Sequence, residues 1–166
     1  MTALPRSRHA RSRHARTRNG LSHGLLPGLL VGLGLGGFFD GIVLHQLLQW
    51  HHMLSSWYPV TSLEALALNT RWDGYFHSAT YVFVVFGVFL LWRRGGPDDG
   101  RALVGAVLLG WAAFNLIEGT IDHQILGVHH VNETAPRAAW AWWDAGFLAW
   151  GAAMALAGGL LLRARR

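Results

Sequence analysis

Seven of the ten histidines and five of the nine carboxylates fall on four short strings in a chain that is 52% hydrophobic. FFDGIVLHQLLQWHH runs from Phe38 to His52, and LIEGTIDHQILGVHH from Leu116 to His130. RWDGYFH (Arg71 to His77) and WWDAGF (Trp142 to Phe147) complete the set. Neutral imidazole suits zinc, copper and iron, and carboxylates add hard oxygen ligands. The candidate metal ligands are His45, His51, His52, His77, Glu118, Asp122, His123, His129 and His130. These exceed the needs of one ion. Asp40, Asp73, Asp144, Gln46 and Gln124 are therefore assigned to holding ligand imidazoles in the right tautomer, or to capping helices. No residue is singled out as catalytic.

Helical spacing orders these groups. Glu118 and Asp122 are four apart and share a face, as do Asp73 and His77. His45 and His52 are seven apart, as are His123 and His130, so each pair lines one stripe if its helix continues that far. The chain has no cysteine, which excludes disulfides, thiolate nucleophiles and Cys-ligated zinc or iron–sulfur centres. Only three methionines are present, a poor supply of soft ligands for a Cu(I) route.

Four apolar blocks must carry these residues. They run from about Leu25 to Trp50, Trp72 to Trp92, Arg101 to Leu126 and Ala138 to Leu162, each long enough for a bilayer that needs roughly 20 apolar residues. The joints carry Pro59, Gly95, Gly96, Pro97 and Pro136. All 14 basic residues are Arg, and 12 of them lie in the N-terminal tail, the 93–101 joint and the C-terminal tail. The positive-inside rule then puts both termini in the cytoplasm of a bacterial inner membrane, and the joints 51–71 and 127–138 outside. At 1.5 Å per residue, Asp40 lies about 22 Å and His45 about 30 Å along the first helix. Every helix thereby places a carboxylate in the outer third of the bilayer. Ionisable groups at such depth are costly and mark function.

Residues 1–24 form an Arg-rich tail in which RSRHA occurs twice. It reads as a disordered cytoplasmic segment touching anionic lipid; a nucleic-acid-binding arm is the weaker reading. Thr61-Ser62-Leu63-Glu64 fits a capping box and predicts a short interfacial helix, with Trp50, Trp57 and Tyr58 as belt residues. Gly28, Gly32 and Gly36 on the first helix, and Ala145, Ala149, Ala153 and Ala157 on the fourth, are the small-residue faces expected to pack.

The two His-bearing strings align at a shift of 78, matching Asp40 to Glu118, His45-Gln46 to His123-Gln124 and His51-His52 to His129-His130. Trp72-Asp73 aligns with Trp143-Asp144 at a shift of 71. The expected fold is an all-α membrane domain over 25–163, built as two tandem hairpins (about 25–94 and 101–163) with a pseudo-two-fold axis along the membrane normal.

With FFDGIVLHQLLQWHHM, RWDGYFHSATYVF, FNLIEGTIDHQILGVHHV and WWDAGFLAWG, the chain resembles a bacterial family of predicted four-helix membrane proteins of unknown function, the DUF2243 type. The resemblance implies the four-helix architecture and brings no established activity. Such proteins are sometimes encoded near cytochrome oxidase assembly factors, which suits copper or haem handling. A looser likeness to membrane di-iron hydroxylases fails, because their His boxes lie on the cytoplasmic side. Four functions follow: a metalloprotein with a mono- or dinuclear copper, iron or zinc site doing oxidoreductase or hydrolytic chemistry; a metal-handling factor for a respiratory complex; a bis-His b-type haem protein using pairs such as His45 with His123 or His77; and a metal-free proton or ion path through Glu118, Asp122 and His123. The bilayer is the partner common to all, and a homodimer is needed for the last.

Overall fold

The computed structural model describes residues 8–95 and 99–164, with side chains described from Gly24 onward. Helix α1 spans Arg8–Phe39, α2 Leu63–Arg93, α3 Gly100–Thr120 and α4 Trp140–Arg163. Four segments are long and apolar enough to cross a membrane: Gly24–Leu47, Leu63–Arg93, Gly100–Leu126 and Arg137–Arg163. No strand occurs among the described residues. Helix α1 includes the backbone of residues 8–23; residues 1–7 lie outside the described residues.

Helices α1 and α3 pack directly against each other, with α2 held by α1 and α4 held by α3. Glycines make the central contact. A side chain on Gly32 would run into the Val107 carbonyl, and one on Gly110 into the Leu29 carbonyl. Gly28 faces Ala106 and Gly36 faces Phe114. Backbone approach this close gains dispersion contacts that lipid cannot supply. The expected α1 face is thus buried. The expected α4 face is not: Ala145, Ala149, Ala153 and Ala157 are exposed. α4 packs instead through Asp144, Phe147, Gly151 and Gly158, because Gly158 and Gly105 meet backbone to backbone, closer than any alanine allows.

Helix α2 begins earlier than the apolar pattern suggested. Ser62 caps it, its hydroxyl accepting from the Ala65 N–H at 3.1 Å. No breaker separates this turn from Trp72, so the expected short interfacial helix is the first part of α2 itself.

At the end of the bundle where α1 and α3 stop and α2 and α4 start, both central helices change geometry. Asp40–Leu47 and Ile121–Leu126 are π-helical. Hydrogen bonds to the fifth residue back, such as Leu48 N–H to the Val43 carbonyl at 2.8 Å, widen the turn, and π-turns of this kind cluster at functional sites. Gly127 ends the second in the left-handed region at φ 58°, which suits glycine.

Candidate metal centre

The wider turn decides which residues meet. In an α-helix, residues five apart diverge, and residues four apart share a face. The π-turn brings Asp40 and His45 together instead, with His45 Nε2 2.9 Å from Asp40 Oδ2. In the same way His123 Nε2 comes to 4.0 Å from Glu118 Oε1. The α-helical pairing of Glu118 with Asp122 is thereby replaced by Glu118 with His123. Asp122 is only partly buried and takes no place in the cluster.

Past the π-turns the chain leaves the helices, and the two loops at this end of the bundle cross. His51 sits 3.8 Å through Nε2 from Asp40 Oδ2, and its Nδ1 meets the Val131 carbonyl of the other loop at 2.9 Å. His129 lies 3.4 Å through Nε2 from Glu118 Oε1, and its Nδ1 meets the Met53 carbonyl at 3.1 Å. Each loop thus holds the other's histidine. The two rings stack 4.6 Å apart, 4° from parallel.

The remaining Nδ1 atoms face carboxylates. Asp73 accepts at 2.9 Å from His45 Nδ1, at 2.7 Å from His52 Nδ1 and at 2.8 Å from the Met53 N–H. Asp144 takes the His130 Nδ1 at 2.7 Å and the Val131 N–H at 3.0 Å, and lies 3.6 Å from His123 Nδ1. A carbonyl or carboxylate at Nδ1 fixes the tautomer that leaves Nε2 free as a ligand. All four of His45, His51, His123 and His129 point Nε2 at Asp40 or Glu118.

Three overlapping triads result: His45, His51 and His129; Glu118, His123 and His129; Asp40, His51 and Glu118. Within each, the ligand atoms lie within 4.8 Å of one another and all the residues are buried. Both oxygens of Asp40, Oε2 of Glu118, Nε2 of His45 and His51 and both ring nitrogens of His123 lack a hydrogen-bond partner. Buried polar atoms cost about 1–3 kcal/mol each when unpaired, and these seven lie on facing residues that could hold a metal ion. Burial, with the His51 and His123 imidazoles beside it, holds His129 well below the usual histidine range, hence neutral and fit to donate a lone pair.

Other expected candidates stand apart. His52 and His130 are bound to Asp73 and Asp144 at the rim of a cleft of about 670 Å³, which His51, Glu133, Arg137 and Trp140 also line. His77 packs against Gly41 and Phe38, away from the triads. Gln124 reaches Asp144 at 3.3 Å, whereas Gln46 is exposed. Sequence reasoning missed the residues that shape the loops. Asn69 is fully buried, accepting from the Leu54 N–H and donating to the Tyr58 carbonyl. Glu133 takes the Ser56 hydroxyl and the His130 N–H. Asn132, which accepts from the backbone N–H groups of Thr134 and Ala135, carried a readable signal in its Asx-turn context before Pro136.

Residues 27–165 match a family described as predicted membrane protein (DUF2243). The chain belongs to that family. No curated protein matches it, and no solved structure does.

Proposed function

We propose that the protein is a membrane metalloprotein whose two hairpins share one dinuclear centre. Asp40, His45 and His51 form one half of the ligand set, and Glu118, His123 and His129 the other. The observation that carries this reading is the common orientation of four buried imidazoles: Nδ1 is held from behind in His45, His51 and His129 and faces Asp144 in His123, and every Nε2 turns to Asp40 or Glu118. Imidazole and carboxylate without thiolate favour zinc, iron or Cu(II) over Cu(I). Such an ion supplies Lewis acidity or, if iron or copper, electron transfer.

The reciprocal contacts support a pseudo-two-fold axis between α1 and α3. Gly32 meets Val107 as Gly110 meets Leu29, and His51 meets Val131 as His129 meets Met53, each pair related by the same shift of 78. Arg counting places the centre on the outer side of a bacterial inner membrane, with both termini inside. The rings of His45, His51, His123 and His129 pack with centroids 4.4 to 6.3 Å apart, which favours bare ions over the flat plate of a haem.

The test is the elemental content of the detergent-purified protein by inductively coupled plasma mass spectrometry. One to two equivalents of zinc, iron or copper are expected, lost together in the His45→Ala plus His123→Ala variant. Metal-free protein, even after reconstitution with each ion, would overturn the reading and return the cluster to a proton path. Delivery of the ion to an acceptor protein would convert the centre from a resident site to a metal-handling one.

A further inference from the structure

A second recess lies beside the cluster, on the membrane-spanning surface rather than at the outer face. It has a volume of about 370 Å³ and is walled by Phe39, Val43, Leu44, Trp50, Trp143 and Trp150, with Val131, Gly146 and Phe147 at its back. α1 and α4 each pack chiefly on α3 and meet along this stretch only through side chains such as Phe39 and Trp150; the recess lies between them. All its walls are apolar side chains or glycine. Most of its lining belongs to spans long enough to cross the hydrocarbon, with Leu48, Trp50 and Val131 just beyond their ends, so the recess opens toward the bilayer.

Three features separate it from ordinary lipid-facing relief. Its walls are rich in aromatic rings, with Trp50 against Trp143 at 4.9 Å and Phe39 edge-on to Trp150 at 5.2 Å; aromatic faces and edges favour a flat aromatic guest. Its back wall is the wall of the metal cluster. Phe147 lies 5.4 Å from the His123 ring, and the Val131 carbonyl holds His51. Its depth depends on one residue. A Cβ on Gly146 would meet nothing within 4 Å. The position 71 residues earlier, aligned with it, is Tyr75, whose ring packs edge-on to Trp72 at 5.7 Å.

We infer that this groove is a binding site for an apolar aromatic molecule dissolved in the bilayer, which approaches the cluster sideways through the gap at Gly146. The inference rests on the metal-centre reading only for what such a molecule meets at the back wall; occupancy of the groove is measured without it. A volume near 370 Å³ suits a ring system with a short tail, at the small end of ligand sites.

The experiment uses the full chain in phospholipid vesicles, photolabelled with iodonaphthyl azide and mapped by peptide mass spectrometry. Labelling at Phe39–Leu48 and Trp143–Trp150 should saturate with label concentration and be displaced by excess naphthalene. Labelling of the exposed Tyr81–Phe89 face of α2 should rise linearly and resist displacement. Gly146→Phe should cut groove labelling at least tenfold, with Gly146→Leu as the milder filler, while Gly74→Phe, an equally open glycine elsewhere, leaves it unchanged. Linear, undisplaced labelling of the groove, or labelling indifferent to both Gly146 variants in protein that elutes as a folded species, would overturn the inference. Saturable groove labelling in protein that holds no metal would uphold it and sink the metal reading alone.

Discussion

The two hairpins carry matching residues, but they do not hold them equally well. In the first, Asp73 bonds the cluster imidazole of His45 at 2.9 Å, and Asp40 sits 2.9 Å from its far nitrogen. In the second, Asp144 stands 3.6 Å from His123, and Glu118 stands 4.0 Å away. The longer Glu118 side chain leans to His129 instead, at 3.4 Å. Beside them, Leu44 is replaced by Asp122, His77 by Leu148 and Tyr75 by Gly146. The first half is a tight, preset ligand cradle; the second is looser and opens sideways onto the membrane. On the proposed reading, duplicated residues thus divide the labour of holding an ion and admitting a guest.

The largest effects should fall where the halves are equal. Gly32→Leu and Gly110→Leu each drive a side chain into a backbone carbonyl of the facing helix. Both should abolish accumulation of folded protein in membranes, read by size-exclusion profile; survival of one and not the other would break the equivalence. Next come His51→Ala and His129→Ala, each removing a ring that serves two of the three triads. Metal content should fall below a tenth of the parent's in either, with the protein still eluting as a folded species. Asp73→Asn and Asp144→Asn then separate the halves. Loss of a carboxylate behind a ligand imidazole costs about 10–100-fold in metal affinity, and the larger loss should belong to Asp73, measured by competition with a chelator. Equal losses would show that the 3.6 Å gap closes once an ion is bound. The smallest concerns the helix starts. Ser62→Ala removes the cap of α2 and should cost about 1 kcal/mol in thermal unfolding. α4 begins from the 3-10 turn Arg137–Ala139 with no side-chain cap, so Ala139→Gly should change little by the same assay.

Much of the fold was legible because bilayer length and apolar runs leave few options: the spans, and the Gly28–Gly32–Gly36 face, follow from those constraints. The ligand chemistry of the two His-bearing strings was equally plain in residue type. What could not be read was angle. The π-turns are set by how the loops close, not by propensity, so α-helical periodicity paired Glu118 with Asp122 and lined His45 up with His52. The alanine ladder of α4 misled for a related reason: abundant alanine marks a face only where nothing smaller competes, and Gly151 and Gly158 do. For His52 and His130, type and spacing could not show that Asp73 and Asp144 would take their Nδ1 atoms.

The crossing of the two His-bearing loops also sets an order of events in the making of the protein. His51 leaves the ribosome 80 residues before Val131, whose carbonyl aims it, and the Asp144 that faces His123 comes later still. A nascent first hairpin therefore displays His51 with no fixed direction, although His45 and His52 already have Asp73. Maturation waits for the last helix to enter the membrane, and any ion the cluster takes up arrives at a finished chain.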